Sequence, residues 1–287
     1  MEELETLLAR LRASAPQETD TPKTERRALD RPAAFSLAGD FPPAGNFSPA
    51  GGFPLSPGEG ALPGGIGTLG EKQLHAALKR HYSSPGALLE VPLEGYVADI
   101  VGERGIIEIQ TRGLGRLRKK LEKFLARAPV TVVYPIPRHK WLCWIDPATG
   151  EIGPRRKSPK TGTPYHAFPE LYGLKPLLTH PGLHIRLVLL DLEEYRFLDG
   201  RGRDKKKGST KGDRVPLSLV QEICLDSPAD YAQLLPASLP SPFTSKDYAS
   251  AAHISRPASQ TALNVLYAVG AVERVGKQGQ FYLYRRK

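Results

Sequence analysis

The stretch YVADIVGERGIIEIQ, residues 96–110, decides how this 287-residue chain is read. Tyr96–Val101 and Ile106–Thr111 are β-rich runs, and Gly102-Glu-Arg-Gly105 between them has the composition of a hairpin loop. Symmetric closure pairs Val101 with Ile106, Asp99 with Glu108 and Val97 with Gln110. Directly opposed residues have Cβ atoms ~4.5–5.5 Å apart, and like charges there are destabilising. Two carboxylates among Val, Ile and Ala neighbours therefore need something positive between them. A hard divalent cation such as Mg²⁺ is held by one or two carboxylates completed by water and phosphate oxygens. Glu108 and Gln110 are two apart, so they share a strand face, and that face points to the same side as Asp99.

Working outward, Glu71–His81 reads as a helix with Leu74, Ala77 and Leu78 on one face. Leu88–Leu93 is a further strand. A helix over Gly115–Ala128 stops at Pro129, and Val130–Tyr134 and Trp141–Ile145 read as two separate strands. Helices alternating with strands in this way predict an α/β sandwich. Beyond it, a helix at 167–178, a strand at His184–Leu192 and a charged loop near 199–214 are expected. Arg116, Lys119, Lys120, Lys123 and Arg127 form one stripe of the 115–128 helix, opposite Leu117, Leu121, Phe124 and Ala128.

The last 47 residues read as helix, helix, hairpin after the Pro-rich break at Leu235–Pro242. Thr244 with Asp247 has the spacing of a capping box. The helix from about Arg256 to Val269 buries Ala262, Val265, Leu266 and Val269, and shows Arg256, Gln260 and Asn264 on its other side. Val272–Val275 and Gln280–Tyr284 bracket Gly276-Lys-Gln-Gly279. The segment resembles a winged helix of the helix-turn-helix class. That resemblance implies base contacts from Arg256, Gln260 and Asn264 and phosphate contacts from Lys277 with Arg285, Arg286 and Lys287, or else a protein-docking role.

Asp99, eight intervening residues and then Glu108-Ile109-Gln110 resemble the PD-(D/E)XK nuclease superfamily, with Gln in place of the usual Lys. Glu71 on the preceding helix matches the extra acidic residue of many members. The resemblance covers roughly residues 69–146. It implies Asp99, Glu108, Glu71 and the Ile109 carbonyl as ligands of Mg²⁺, with Mn²⁺ a possible substitute. It also implies that Gln110 orients the attacking water, and that DNA is the partner. Position 98 is Ala rather than Pro, and Gln110 leaves the water without a cationic neighbour.

The amino-terminal part differs. Leu4, Leu7, Leu8 and Leu11 make one apolar stripe of a short helix within residues 1–31, docked either on its own domain, on a protein partner or on a second copy. Residues 32–66 hold seven Pro and eight Gly, with AGDF, AGNF and AGGF every six residues, and read as a disordered linker. Residues 67–240 form the nuclease-like domain and 241–287 a small α+β winged-helix domain. The net charge is +10, from 40 Lys+Arg against 30 Asp+Glu; residues 1–66 carry −3, so the folded part is the basic part, and a polyanion suits it.

No apolar run reaches the ~20 residues of a membrane span, and the start lacks the pattern of a secretory signal. Two cysteines support neither a zinc site nor a disulfide framework. A cytoplasmic setting is expected. No GxxxxGK[ST], HExxH or GxSxG motif competes with the hairpin. His180 and His184, around Pro181 and Gly182, read as loop histidines, and Glu193-Glu194 as a solvated strand end. The loop Arg201–Arg214, with seven basic and two acidic residues, either binds phosphate or is merely flexible. These expectations describe a metal-dependent DNA endonuclease; the alternatives are a silent nuclease fold that binds DNA or regulates, and an adaptor that recruits protein.

Overall fold

The computed structural model describes residues 4–6, 8–10, 72–201 and 208–287. Glu71, the segment read as a linker and residues 202–207 of the basic loop lie outside them. The first helix, α1, spans Lys72–Tyr82. Three strands follow: β1 (Leu88–Leu93), β2 (Tyr96–Gly102) and β3 (Gly105–Ile109). A 3₁₀ turn at Leu114–Leu117 leads into α2 (Arg118–Leu125), then β4 (Val130–Ile145) and β5 (Arg156–Lys157). Helix α3 (Phe168–Gly173) is flanked by 3₁₀ turns and precedes β6 (Leu183–Phe197) and β7 (Thr210–Leu225). The chain closes with α4 (Ser245–Ala251), α5 (Arg256–Ala268), β8 (Val272–Gln278) and β9 (Phe281–Arg286).

One mixed sheet has the order β1-β2-β3-β4-β6-β7, with β5 added to β4. Strands β1, β2 and β3 are antiparallel neighbours; β3, β4 and β6 run parallel, and β7 returns antiparallel on β6. The period-two alternation sorts residues between two layers. Ile107, Ile109, Val133, Val188 and Leu190 pack with Leu74, Leu78 and Tyr82 of α1. Ile106, Val130, Val132, Leu187 and Leu189 join a larger core with Leu121 and Phe124 of α2 and Leu171 of α3. The fold is therefore mixed α/β, with helices on both sheet faces.

The hairpin closes in the symmetric register, Ile100 with Ile107, Val101 with Ile106 and Gly102 with Gly105. Gly105 has φ +104°, and a Cβ there would run into the Pro129 carbonyl. Only glycine fits both the turn and the close approach. Beyond Ile100 and Ile107 the β2–β3 ladder stops.

Several elements differ from the sequence reading. The helix expected over 115–128 is a 3₁₀ turn plus two turns of α2, and the one expected at 167–178 is broken at both ends by 3₁₀ turns. The two strands expected at 130–134 and 141–145 are one 16-residue strand with a register shift between Pro137 and Lys140. Pro135 and Pro137 suggest a break, yet they sit in the strand at no cost in hydrogen bonds. The Val133 carbonyl accepts from the Gln110 amide, so odd-numbered groups of β4 face the β3 side. Strand β3 has ended by then, so no ladder partner waits for the amide a proline lacks.

The carboxy-terminal unit has the helix, helix, hairpin order, and Thr244 and Asp247 form the capping box. It does not pack as a separate body. Tyr248 lies edge-on to Tyr165 and Phe168, its hydroxyl donates to the Leu234 carbonyl at 2.7 Å, and Phe243, Leu263 and Leu266 belong to the same core as the sheet. The boundary at 240 is thus a change of topology within one continuous core. Leu4 and Leu8 near the amino terminus enter that core too, so these two members of the stripe are docked on their own chain; Leu7 and Leu11 lie outside the described residues. No helix among the described residues is long and apolar enough to cross a membrane.

Leu8 is 2% exposed, and its truncation to Ala should cost about 2–5 kcal/mol through lost burial and the cavity left behind. Glu5→Ala on the exposed side of the same helix should change stability by no more than about 0.5 kcal/mol. Urea unfolding of the full chain checks both. Equal, small effects would mean that the helix does not contribute to the core.

Candidate functional site

The site forms where the β2–β3 ladder opens. Instead of continuing backbone to backbone, the strands bond through their acids. The Asp99 amide donates to Glu108 Oε1 at 3.2 Å, and the Ile109 amide donates to Asp99 Oδ2 at 2.8 Å. The expected pairing of Asp99 with Glu108 thus becomes a reciprocal contact between side chain and backbone, with the two carboxylates at one place.

Nitrogen-bearing side chains from both helical layers meet them. From α1, His75 Nε2 lies 3.3 Å from Asp99 Oδ2, and Lys79 Nζ lies 3.9 Å from Asp99 Oδ1 and 3.0 Å from Glu90. From α2, Lys120 donates to Glu108 Oε2 in a short ion pair. Glu108 is only 2% exposed. Its burial pushes the carboxyl up to about 6, against the opposing pull of Lys120. Burial also pushes Asp99 up, but the bonds from His75 and the Ile109 amide, with the charges of His75 and Lys120, outweigh it and hold Asp99 below the ordinary value.

Gln110 lies half-buried just past β3, and its amide group donates to the Arg112 carbonyl at 2.6 Å. That bond engages it with its own backbone. Glu71 lies outside the described residues. His75 and Lys79 were not singled out in the sequence; their signal was the i, i+4 spacing on α1, which repeats the spacing from Glu71 to His75. Lys120 was read as part of a phosphate-binding stripe, and the structure turns it inward to Glu108. Of the remaining stripe, Arg116 and Lys119 are exposed. Lys123 donates to the Glu94 carbonyl, and Arg127 pairs with the Glu94 carboxylate at the β1–β2 turn.

On the carboxy-terminal unit, Arg256, Gln260 and Lys277 are exposed. Arg256 stands over the Phe281 ring at 5.1 Å and Lys277 over Tyr282 at 5.1 Å. Asn264 is not on that open face. It accepts from Lys175 at 3.0 Å, against the body of the protein. Glu193 and Glu194 are not a solvated strand end either. Glu194 is 1% exposed inside β6 and held by Lys140, Arg196 and Arg214; Glu193 is buried with Arg155 and Tyr195. His180 accepts from the Gly182 amide, as a loop histidine does, whereas His184 sits in β6, 3.0 Å from Asp226.

Among the described residues, no three His, Cys, Asp or Glu side chains form a ready-made metal cage. The donor chemistry nonetheless suits a hydrated dication. Two neighbouring carboxylates are what Mg²⁺ takes from a protein, and here an ammonium group already stands near each of them, Lys79 by Asp99 and Lys120 by Glu108.

The profile of the family described as "Domain of unknown function (DUF8091)" matches residues 72–226, more than half of the chain. The chain belongs to that family. The DUF8091 segment begins with α1 and ends one residue past β7, so it comprises the whole seven-stranded sheet together with Asp99, Glu108, His75, Lys79 and Lys120. The carboxy-terminal unit, residues 241–287, lies outside it. An uncharacterized protein of Treponema pallidum (strain Nichols) is 33% identical over 229 residues, covering 77% of this chain and 88% of that protein. No solved structure matches.

A native pKa of about 6 at Glu108 lies above the ~4.3 of an unfolded glutamate. The native state therefore holds that proton more tightly, and stability should fall as pH rises from about 4.5 to 6.5, by on the order of 2 kcal/mol. Asp99 has the opposite sign: its contribution is present above the unfolded value and is lost as pH falls below it. Urea unfolding in EDTA at pH 4.5, 5.5 and 6.5 should show the loss in the parent chain and not in Glu108→Gln. Parallel curves would mean that Lys120 fully compensates the buried charge.

Proposed function

We propose that this protein is a metal-dependent nuclease of PD-(D/E)XK type, hydrolysing phosphodiester bonds in DNA at the Asp99–Glu108 site. The observation that carries the reading is the meeting of these two acids where the β2–β3 ladder opens, faced by Lys120, His75 and Lys79. Asp99 and Glu108 would hold Mg²⁺ or Mn²⁺, with the Ile109 carbonyl as a further ligand. When bound, such an ion lowers the pKa of its water and neutralises charge on phosphoryl oxygens.

The chain's own residues complete the arrangement. The Ile109 amide fixes the Asp99 carboxylate, and the Asp99 amide fixes that of Glu108, so neither must be ordered when substrate arrives. Lys120 supplies from α2 the cation that Gln110 does not provide on β3. Released from Glu108, its ammonium would reach a phosphoryl oxygen. His75, the Ile109 amide and the charge of Lys120 hold the Asp99 carboxyl below its ordinary value. The exposed cations of α2 and of the winged unit would bind the phosphate backbone.

A second reading has its own support. Each acid already has a cationic partner, an arrangement that also suits a silent nuclease fold which binds DNA without cutting it.

Supercoiled plasmid and labelled duplex incubated with Mg²⁺, Mn²⁺ or EDTA separate the two. Divalent-dependent cleavage is expected, falling by at least about 10²-fold in Asp99→Ala, Glu108→Ala and Lys120→Ala. Binding without cleavage under every condition would favour the silent fold. Cleavage intact in Asp99→Ala and Glu108→Ala would remove the assignment of this site.

A further inference from the structure

We propose that the cationic edge formed by β5 and the segment after it, Arg156, Lys157 and Lys160, docks the backbone of duplex DNA on its way to the Asp99–Glu108 site. The inference rests on the nuclease reading and extends it to how the substrate is held.

Three observations meet here. The first is charge. From Arg138 to Lys160 the chain has six Lys or Arg against two acids, Asp146 and Glu151. The acids of the neighbouring strand β6 are turned inward and already paired: Asp191 with Arg138, Glu193 with Arg155, and Glu194 with Lys140, Arg196 and Arg214. Arg156, Lys157 and Lys160 are exposed and face no acid among the described residues. Lys157 stands over the Trp141 ring at 5.7 Å. The surplus is outward and positive, which suits a polyanion rather than an acidic core.

The second is alignment. The amide of Gln110 bonds to the Val133 carbonyl, the last link between β3 and β4. Further along the same side of β4, the Gly162 amide bonds to the Arg138 carbonyl and the Ser158 amide to that of Lys140; β5 then pairs Lys157 with Trp141 and Arg156 with Leu142. Strand β3, which carries Glu108, and the cationic segment therefore lie end to end along one edge of one strand.

The third is spacing. Val133 and Trp141 pair with Arg186 and Glu193 of β6, seven residues apart because the bulge after Pro137 takes up one residue of β4; at the rise of an extended strand that is ~23 Å, or about seven base-pair steps of ~3.4 Å. A duplex lying along this edge would touch both the acids and the cations without bending. Nothing of the winged unit is needed for that contact.

The test uses the full chain in EDTA, with fluorescein-labelled 24-base-pair duplex DNA and anisotropy titrations from 50 to 200 mM NaCl. Each phosphate contact contributes about 0.9 to the slope of log affinity against log salt. Arg156→Ala/Lys157→Ala/Lys160→Ala should therefore flatten the slope by roughly 2–3, whereas Arg156→Lys/Lys160→Arg should keep the parent slope. Far-UV circular dichroism and Tm check that the triple variant is folded; if it is not, Arg156→Gln alone should flatten the slope by roughly 1. A folded variant with the parent's slope and affinity overturns the proposal and leaves the nuclease reading standing. A parent chain that binds single-stranded RNA but no duplex DNA overturns it in favour of another nucleic acid. Failure of the parent to bind any nucleic acid removes the nuclease reading and this inference with it.

Discussion

Asp99 and Glu108 replace the next rungs of the β2–β3 ladder with bonds through their own side chains, and much of the molecule answers to that substitution. A strand pair that stayed backbone-bonded would force two like charges into direct opposition. Opening the ladder lets each carboxylate take the amide that the other strand would have used. The residual charge is then met by one layer of helix on each face, α1 through His75 and Lys79, α2 through Lys120. Both helices are held in place by ordinary apolar packing, Leu74 and Leu78 on one side, Leu121 and Phe124 on the other. Their placement is fixed by the cores and used by the acids.

The same economy of parts extends to the rest of the chain. The 3₁₀ turn after β3 meets α3 at Gly115 and Gly173, where a Cβ on Gly173 would stand 2.9 Å from the Gly115 Cα. The Leu114 amide bonds to Glu170, and α3 in turn packs on α5, with Lys175 reaching Asn264. A continuous series of close contacts therefore joins the segment after β3 to the carboxy-terminal helices. The helix bearing Arg256 and Gln260 does not swing freely relative to the catalytic candidates.

The hairpin was legible because its information is local. Gly102 and Gly105 set the turn, the turn sets the register, and the register alone brings Asp99 against Glu108. The α/β class and the helix-helix-hairpin order at the end were legible from periodicity for the same reason. What escaped the sequence depends on partners far along the chain. Glu194 looks like a solvated charge until Lys140, Arg196 and Arg214 converge on it from three strands. Asn264 looks like a base-reading side chain until Lys175 claims it. Lys120 sits in an evident basic stripe, yet nothing local says that one member turns inward. Strand β4 reads as two strands because the stretch from Pro135 to Lys140 breaks the β-rich pattern, and the partner β6 that carries it through the bulge lies far along the chain.

Pro135 and Pro137 have a further effect. Between the last β3 bond, at the Val133 carbonyl, and the Gly162 bond, at the Arg138 carbonyl, no ladder partner lies alongside β4. The stretch is covered all the same: Pro135 is buried, and a Cβ on Gly162 would run into the Pro137 carbonyl. A buried amide without a partner costs about as much as a lost hydrogen bond. Proline has no such amide, so the exchange of partners along β4 leaves no orphaned donor at either position.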